Sequence, residues 1–277
     1  MQDFEEHRTR AKEEIGHSLT VWSQILQAAF KGLVTYAYAK GSAVKRWDSD
    51  IDYVPTISDV DIHYATENNT QVLTGASSFQ EAMRISTEYE TEFLKSVPNP
   101  LHIPRIQLVS LGLLSELPEY VPPKVEEVQI LFGTPHQDEI PDVEKIRQID
   151  LQNLLALESV LQSLPMSVVD RVGMDYYIVV RRINWRVSPS PVRVLSLKGH
   201  DSDIWTWNRT RIRMSLIEEG LTELAKAYTD FYLYGWKLFL SDFCSSNAFR
   251  SIISAGYKVL EECFSVAKHM QDSGHRH

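Results

Sequence analysis

Lys40-Gly41-Ser42, followed further on by Ser58-Asp59-Val60-Asp61-Ile62-His63-Tyr64, carries the pattern from which the fold of this chain is read. In an extended chain alternate side chains share a face, so Asp59, Asp61 and His63 point one way while Val60, Ile62 and Tyr64 point the other. Two carboxylates therefore stand side by side on a strand. Like charges at that spacing raise each other's pKa, and keeping both ionised calls for cations beside or between them. A divalent metal suits the role: Mg²⁺ takes one or two carboxylates and completes its shell with phosphate oxygens and water. The glycine ahead of Ser42 permits close approach of backbone to a ligand. His63 shares the carboxylate face, either as a hydrogen-bond partner behind a metal ligand or as a half-buried strand histidine.

Reading outward from these stretches gives the organisation of the chain. Ile15, Leu19, Trp22, Leu26 and Ala29 recur at steps of three and four, which predicts an amphipathic helix over about 3–30, ended near Gly32. The run 33–39 reads as a buried strand that delivers Gly41-Ser42. Asn68-Asn69-Thr70 breaks the chain after the second strand, and a helix over about 71–95 is halted by Pro98 and Pro100. A strand over 103–109 comes next, then a loop with Pro118, Pro122 and Pro123, then a last strand over 128–132 that ends at Gly133. Pro135 and Pro141 mark a boundary. Beyond it the apolar period is helical over 149–164, 174–187, 204–219, 221–243 and 248–270. Phe249, Ile252, Gly256, Leu260, Cys263 and Ala267 make a continuous seam in the last of these. The fold class predicted is an α/β (α+β) domain with a small mixed sheet over 1–140, followed by an all-α helix bundle over 141–277.

The succession helix, strand, Gly-Ser turn and Asp-x-Asp strand resembles the nucleotidyltransferase superfamily whose best-known member is DNA polymerase beta. The apolar-aromatic-Gly close of the strand ending at Gly133 is a second, short point of likeness. A helix bundle behind such a domain looks like the arrangement of kanamycin nucleotidyltransferase. The resemblance implies transfer of a nucleoside monophosphate from a nucleoside triphosphate to an acceptor hydroxyl, that of a small molecule, with Mg²⁺. It implies that Gly41 and Ser42 cradle the β- and γ-phosphates, with Lys45 as a further cofactor-binding residue. Asp59 and Asp61 become the catalytic pair and the metal ligands.

Two departures accompany the resemblance. Ser49-Asp50-Ile51-Asp52 offers another Asp-x-Asp pair closer to Gly41-Ser42, but it runs into Tyr53-Val54-Pro55, and proline cannot donate to a sheet ladder. Asp50 and Asp52 are read as part of a solvated turn, and the second pair as the functional one. The strand expected to carry a third carboxylate offers Arg105 and Gln107 instead, and a neutral amide is a poor general base. Glu116 and Glu126 are the nearest alternative acids. The rival reading is a catalytically weak or inactive nucleotide-binding or interaction module, antitoxin-like, that keeps the fold.

A formal net charge of −9 argues against holding long nucleic acid by a general field. The expected partners are a nucleoside triphosphate and a small acceptor, with no membrane and with a homodimer possible. No apolar run approaches the roughly 18 residues of a membrane span, the first residues lack signal-peptide order, and a cytoplasmic protein is expected. Cys244 and Cys263 read as small core residues in a reducing compartment. Between Arg181 and Arg213 the chain is locally basic, either closing over a triphosphate or forming wet helix faces. Trp205, Trp207, Tyr228, Tyr232, Tyr234 and Trp236 sit at helical spacing and read as packing before ligand stacking. Arg193 and His200 resemble, loosely, the Arg-and-His pattern of helical ribonuclease toxins.

Overall fold

The computed structural model describes residues 4–117, 120–135 and 142–274, so Pro118 and Pro141 lie outside the described residues. The chain divides into two compact units. A sheet unit comprises Met1–Arg46 and Ser58–Ile140, and a helical unit comprises Trp47–Ile57 and Pro141–His277.

In the sheet unit, helix α1 (Glu5–Ala29) buries Ala11, Ile15, Leu19, Trp22 and Leu26 along one stripe. Strands β1 (Val34–Lys40), β2 (Val60–Thr66), β3 (Ile106–Ser110) and β4 (Gln129–Phe132) form one mixed sheet in the order β3-β2-β1-β4. β1 is antiparallel to both β2 and β4, while β2 and β3 are parallel. A parallel neighbour needs a crossover, which α2 (Phe79–Ser96) supplies. A single helical turn, α3 (Leu111–Leu114), follows β3. Val60, Ile62 and Tyr64 are buried, as the alternation requires, and each is worth about 2 kcal/mol of apolar burial. The Trp22 and Tyr89 rings lie 5.2 Å apart, and the Tyr89 hydroxyl donates to the Pro104 carbonyl at 2.6 Å, so α1, α2 and the entry to β3 lock together. Buried Glu14 of α1 accepts from the Leu101 and His102 backbone and from His102 Nδ1 at 2.7 Å.

The helical unit is built on α10 (Ser246–Gly274), against which α4 (Val143–Leu155), α5 (Leu157–Val169), α6 (Tyr176–Val187), α7 (Ser190–Leu197) and α9 (Thr222–Phe239) all pack. Its seam is the one read from the period: Phe249, Ile252, Leu260, Cys263 and Ala267 are fully buried. A β-carbon on Gly256 would stand 2.5 Å from Ile183 Cγ2, so the glycine lets α6 approach closely. The stretch predicted as one helix over 149–164 is two, α4 and α5, with the break at Ala156. The helix predicted from Ile204 is a 3₁₀ segment (Ser202–Thr206) followed by α8 (Arg209–Glu218), because Asn208 caps α8 by accepting from Arg211 N at 2.9 Å. Helix α7 escaped the sequence reading because Pro189 and Pro191 look like breakers, whereas proline is tolerated in a first turn. Tyr228, Tyr232 and Trp236 are fully buried, consistent with packing.

The segment Trp47–Ile57 corrects the reading of Asp50 and Asp52. It is neither a strand nor solvated: Ile51, Tyr53, Val54 and Ile57 are buried. Asp52 is 1% exposed. Its carboxylate accepts from Asp48 N at 2.6 Å, Ser49 N at 2.9 Å, Thr210 N at 2.8 Å and Thr210 Oγ1 at 2.8 Å. The Trp236 indole donates to the Asp50 carbonyl at 2.8 Å, and Arg209, stacked 3.9 Å over Tyr232, donates to the Ile51 carbonyl at 3.1 Å. Asp52 thus holds the N-terminal turn of α8, where backbone N–H groups and the helix dipole favour an anion.

Candidate functional site

β1 ends at Lys40 and bends at Gly41, whose φ of +83° lies in the left-handed region that favours glycine. A β-carbon there would stand 3.0 Å from Asp61 Oδ2, so the backbone of the bend lies against that carboxylate. The register accounts for this closeness. Lys40 pairs with Asp61 across β1 and β2, and Asp61 pairs with Gln107 of β3. Residues directly opposite share a face, so Lys40, Asp61 and Gln107 form one row across three strands.

Asp59 lies one residue ahead of β2 and, by the period of two, on the Asp61 side. Arg105, one residue ahead of β3, reaches the Asp59 carboxylate through Nη2, and its own carbonyl accepts from Val60 N at 2.9 Å. Each acid of the pair therefore has a cation of the protein beside it, Arg105 for Asp59 and Lys40 for Asp61. The sequence reading invoked a metal for this purpose and did not assign Arg105 or Lys40.

His63 is buried. Its Nδ1 lies 3.1 Å from the Tyr38 hydroxyl, and burial, helped by the Lys40 charge, holds its imidazole well below the usual 6.5. Its ring bonds Tyr38 and not the carboxylate pair, which makes it a packing residue of the sheet.

The turn after Gly41 is fixed from α1. Val44 N donates to the Gly41 carbonyl at 3.3 Å, and Lys12 Nζ donates to the Lys45 carbonyl at 2.9 Å and the Ala43 carbonyl at 3.4 Å. Ser42 and Lys45 thus sit on a pinned turn at the same end of the sheet as Asp59 and Asp61. The acid that approaches this end is Glu127, where the sequence pointed to Glu116 and Glu126. Glu127 closes a 3₁₀ turn (Val125–Glu127) just ahead of β4, whose Gln129 pairs with Ala39, and its charge acts on Lys40. Burial raises the Glu127 pKa, against the backbone of Lys124 and the charges of Lys124 and Lys45. Burial lowers the Lys40 pKa, against the charges of Asp61 and Glu127. The β1–β4 pairing that carries the Glu127 turn to this end of the sheet has no signature in the sequence.

Among the described residues no group of three His, Cys, Asp or Glu side chains is arranged to hold a metal ion. The donor set of Asp59 and Asp61, two hard oxygens on one face beside a bend free of side chain, fits a cation such as Mg²⁺ that takes two carboxylates and fills its remaining positions from water and phosphate. Of the two other sequence candidates, Arg193 lies 3.4 Å from buried Asp150 and His200 lies 2.9 Å from Glu219. Neither is directed at the other. Comparison with protein-family models, with curated proteins and with solved structures finds no match to this chain.

Proposed function

We propose that the sheet unit binds a nucleoside triphosphate with Mg²⁺ and transfers its nucleoside monophosphate to the hydroxyl of a small acceptor. The observation that carries this reading is the contact between the Gly41 bend and the Asp61 carboxylate. Backbone N–H groups of the bend, the Ser42 hydroxyl and the Lys45 ammonium would receive the β- and γ-phosphates. Asp59 and Asp61 would hold Mg²⁺, which when bound supplies neutralising charge to the phosphoryl group. The acceptor oxygen would attack the α-phosphorus, the bond to the bridging oxygen of pyrophosphate would break, and Glu127, whose charge acts on Lys40, would take the acceptor's proton. Cys244 and Cys263 are free, which suits a reducing compartment such as the cytoplasm.

A second reading rests on Gln107, which occupies the register position beside Asp61, and on Arg105, which occupies Asp59. With a neutral amide in that row the unit would bind nucleotide without transferring it. Incubation with each labelled nucleoside triphosphate, Mg²⁺ and a panel of alcohols, aminoglycosides and tRNA separates the two. Pyrophosphate release supports transfer, and Mg²⁺-dependent binding without release supports the second reading.

A further inference from the structure

The hairpin formed by α5 and α6 carries features that the sheet-unit site does not use. Its tip runs from the last turn of α5 through Asp170-Arg171-Val172 and a 3₁₀ turn at Gly173–Asp175 into the first turn of α6. Met166, Val169, Val172, Met174 and Ile178 are between 58% and 77% exposed there. Single exposed apolar residues are ordinary, but five on one hairpin tip mark an interaction surface. They do not hold the hairpin in place. α5 and α6 pack on α10 through other residues, Leu157, Val160 and Leu164 on one and Val179, Val180, Ile183 and Val187 on the other.

Behind the tip lies a band of positive charge. Arg171, in the tip, folds back to donate to the Ser167 carbonyl at 2.7 Å, and behind it Arg182 donates to the Ser163 hydroxyl at 2.8 Å and Arg186 to the Arg182 carbonyl at 2.9 Å. None of the three has a carboxylate at ion-pair distance among the described residues. Burial, and then the neighbouring Arg182 charge, lower the pKa of the Arg186 guanidinium. Two adjacent like charges left uncompensated, in a chain of net charge −9, call for an anion. Asp170 and Asp175 are the acids of the tip itself. Trp185, 57% exposed, stands beside Arg182 and Arg186 on α6.

The order of these groups along the hairpin decides between anionic partners. At about 1.5 Å per residue, Arg182 stands roughly 6 Å and Arg186 roughly 12 Å beyond Ile178 along α6. Along α6 the apolar side chain of Ile178 comes first, then cations with an aromatic ring, while Asp170, Arg171 and Asp175 are the charged groups of the tip. That is the sequence of environments met on leaving a bilayer, where interfacial elements sink by roughly 5–10 Å and tryptophan favours the headgroup level. A nucleic acid would meet the arginines and leave the apolar tip in water. A second copy would bring the same uncompensated arginines to its own face.

We infer that the α5–α6 hairpin docks on a lipid surface carrying anionic headgroups, with Met166, Val169, Val172, Met174 and Ile178 in the acyl boundary and Arg182 and Arg186 on the phosphates. The sequence-based expectation is of no membrane partner, and flotation decides between the two. The contact is peripheral, since no helix among the described residues is long and apolar enough to cross a membrane. The net negative charge does not forbid it, because exposed charges beyond about 8 Å are largely screened at physiological salt.

Flotation of the full chain with vesicles of phosphatidylcholine alone, and of phosphatidylcholine mixed with phosphatidylglycerol, tests the inference. The protein should float with the mixed vesicles, lose that binding in Val169→Asp/Val172→Asp, and partition about thirtyfold less in Arg182→Gln/Arg186→Gln. Val169, Val172 and Arg182 are exposed and Arg186 is half-buried, and circular dichroism checks that the variants keep their helix. Failure to float with mixed vesicles, or flotation unaffected by the valine pair, overturns the inference. So does a dimer in light scattering that the valine pair dissociates, or capture of a single-stranded oligonucleotide that only the arginine pair abolishes.

Discussion

Gln107 stands beside Asp61 in the parallel register of β2 and β3, while Lys40 flanks the same carboxylate from β1. The acid at the centre of the row thus has an amide on one side and an ammonium on the other. A site built this way differs chemically from one with a third carboxylate in the Gln107 position, since the row carries one negative charge less.

Gly41→Ala should disturb the site directly. The residue has φ of +83° and its β-carbon would press on Asp61 Oδ2 at 3.0 Å. Strain of about 1–2 kcal/mol is expected from the left-handed backbone alone. Differential scanning calorimetry should show a lowered Tm, and titration calorimetry should show weaker binding of Mg²⁺·ATP. An alanine variant that melts and binds like the parent would contradict the described bend.

Arg105→Gln should release Asp59. Arg105 is the ion-pair partner of that carboxylate, and a metal entering the site has to compete with it. The variant is expected to bind Mn²⁺ more tightly than the parent in the absence of nucleotide, read by electron paramagnetic resonance of the free ion. Equal affinities would show that Arg105 does not restrain Asp59.

Asp52→Ala should be costly for stability and without consequence for the nucleotide. Four donors lose their acceptor in a buried position, and leaving such groups unpaired costs about 3–5 kcal/mol. Urea unfolding should report the loss. Asp52→Asn keeps part of the network and should fall between the two.

Asp150 gives a pH dependence with a definite sign. Burial pushes its pKa up to about 6 from 3.8, in spite of hydrogen bonds and charge from Ser196 and Arg193. A carboxyl with a raised pKa in the folded state favours folding fully below the unfolded value and loses that contribution as pH rises through the folded one. Between pH 4 and about 6 the unfolding free energy should therefore fall on this account by of the order of 2–3 kcal/mol. Asp150→Asn should flatten that decline in chemical denaturation followed against pH. A variant with the parent's slope would remove Asp150 from the explanation.

Much of the architecture was legible in the sequence because it is periodic. The α1 stripe, the alternation of β2 and the α10 seam each bury what their period says they bury, and the Gly41 bend announces itself by residue type. What the sequence hid depends on partners distant in the chain. Asp52 looks like a polar turn residue until Thr210 is placed against it. Glu127 looks no better than Glu126 until the turn ahead of β4 brings its charge to act on Lys40. Arg105 reads as a substitute for a missing acid, when its partner is Asp59 across the sheet. The break at Ala156 went unseen because α4 and α5 share one apolar period across it.

The measurement that bears most directly on the account is binding of a nucleoside triphosphate with and without Mg²⁺, compared among the parent, Asp61→Asn and Asp52→Asn. The account predicts Mg²⁺-dependent binding in the parent, its retention in Asp52→Asn, and a weakening of tenfold or more in Asp61→Asn, about 1.4 kcal/mol at the least. Parent-like binding by Asp61→Asn, or binding lost only with Asp52→Asn, would contradict it.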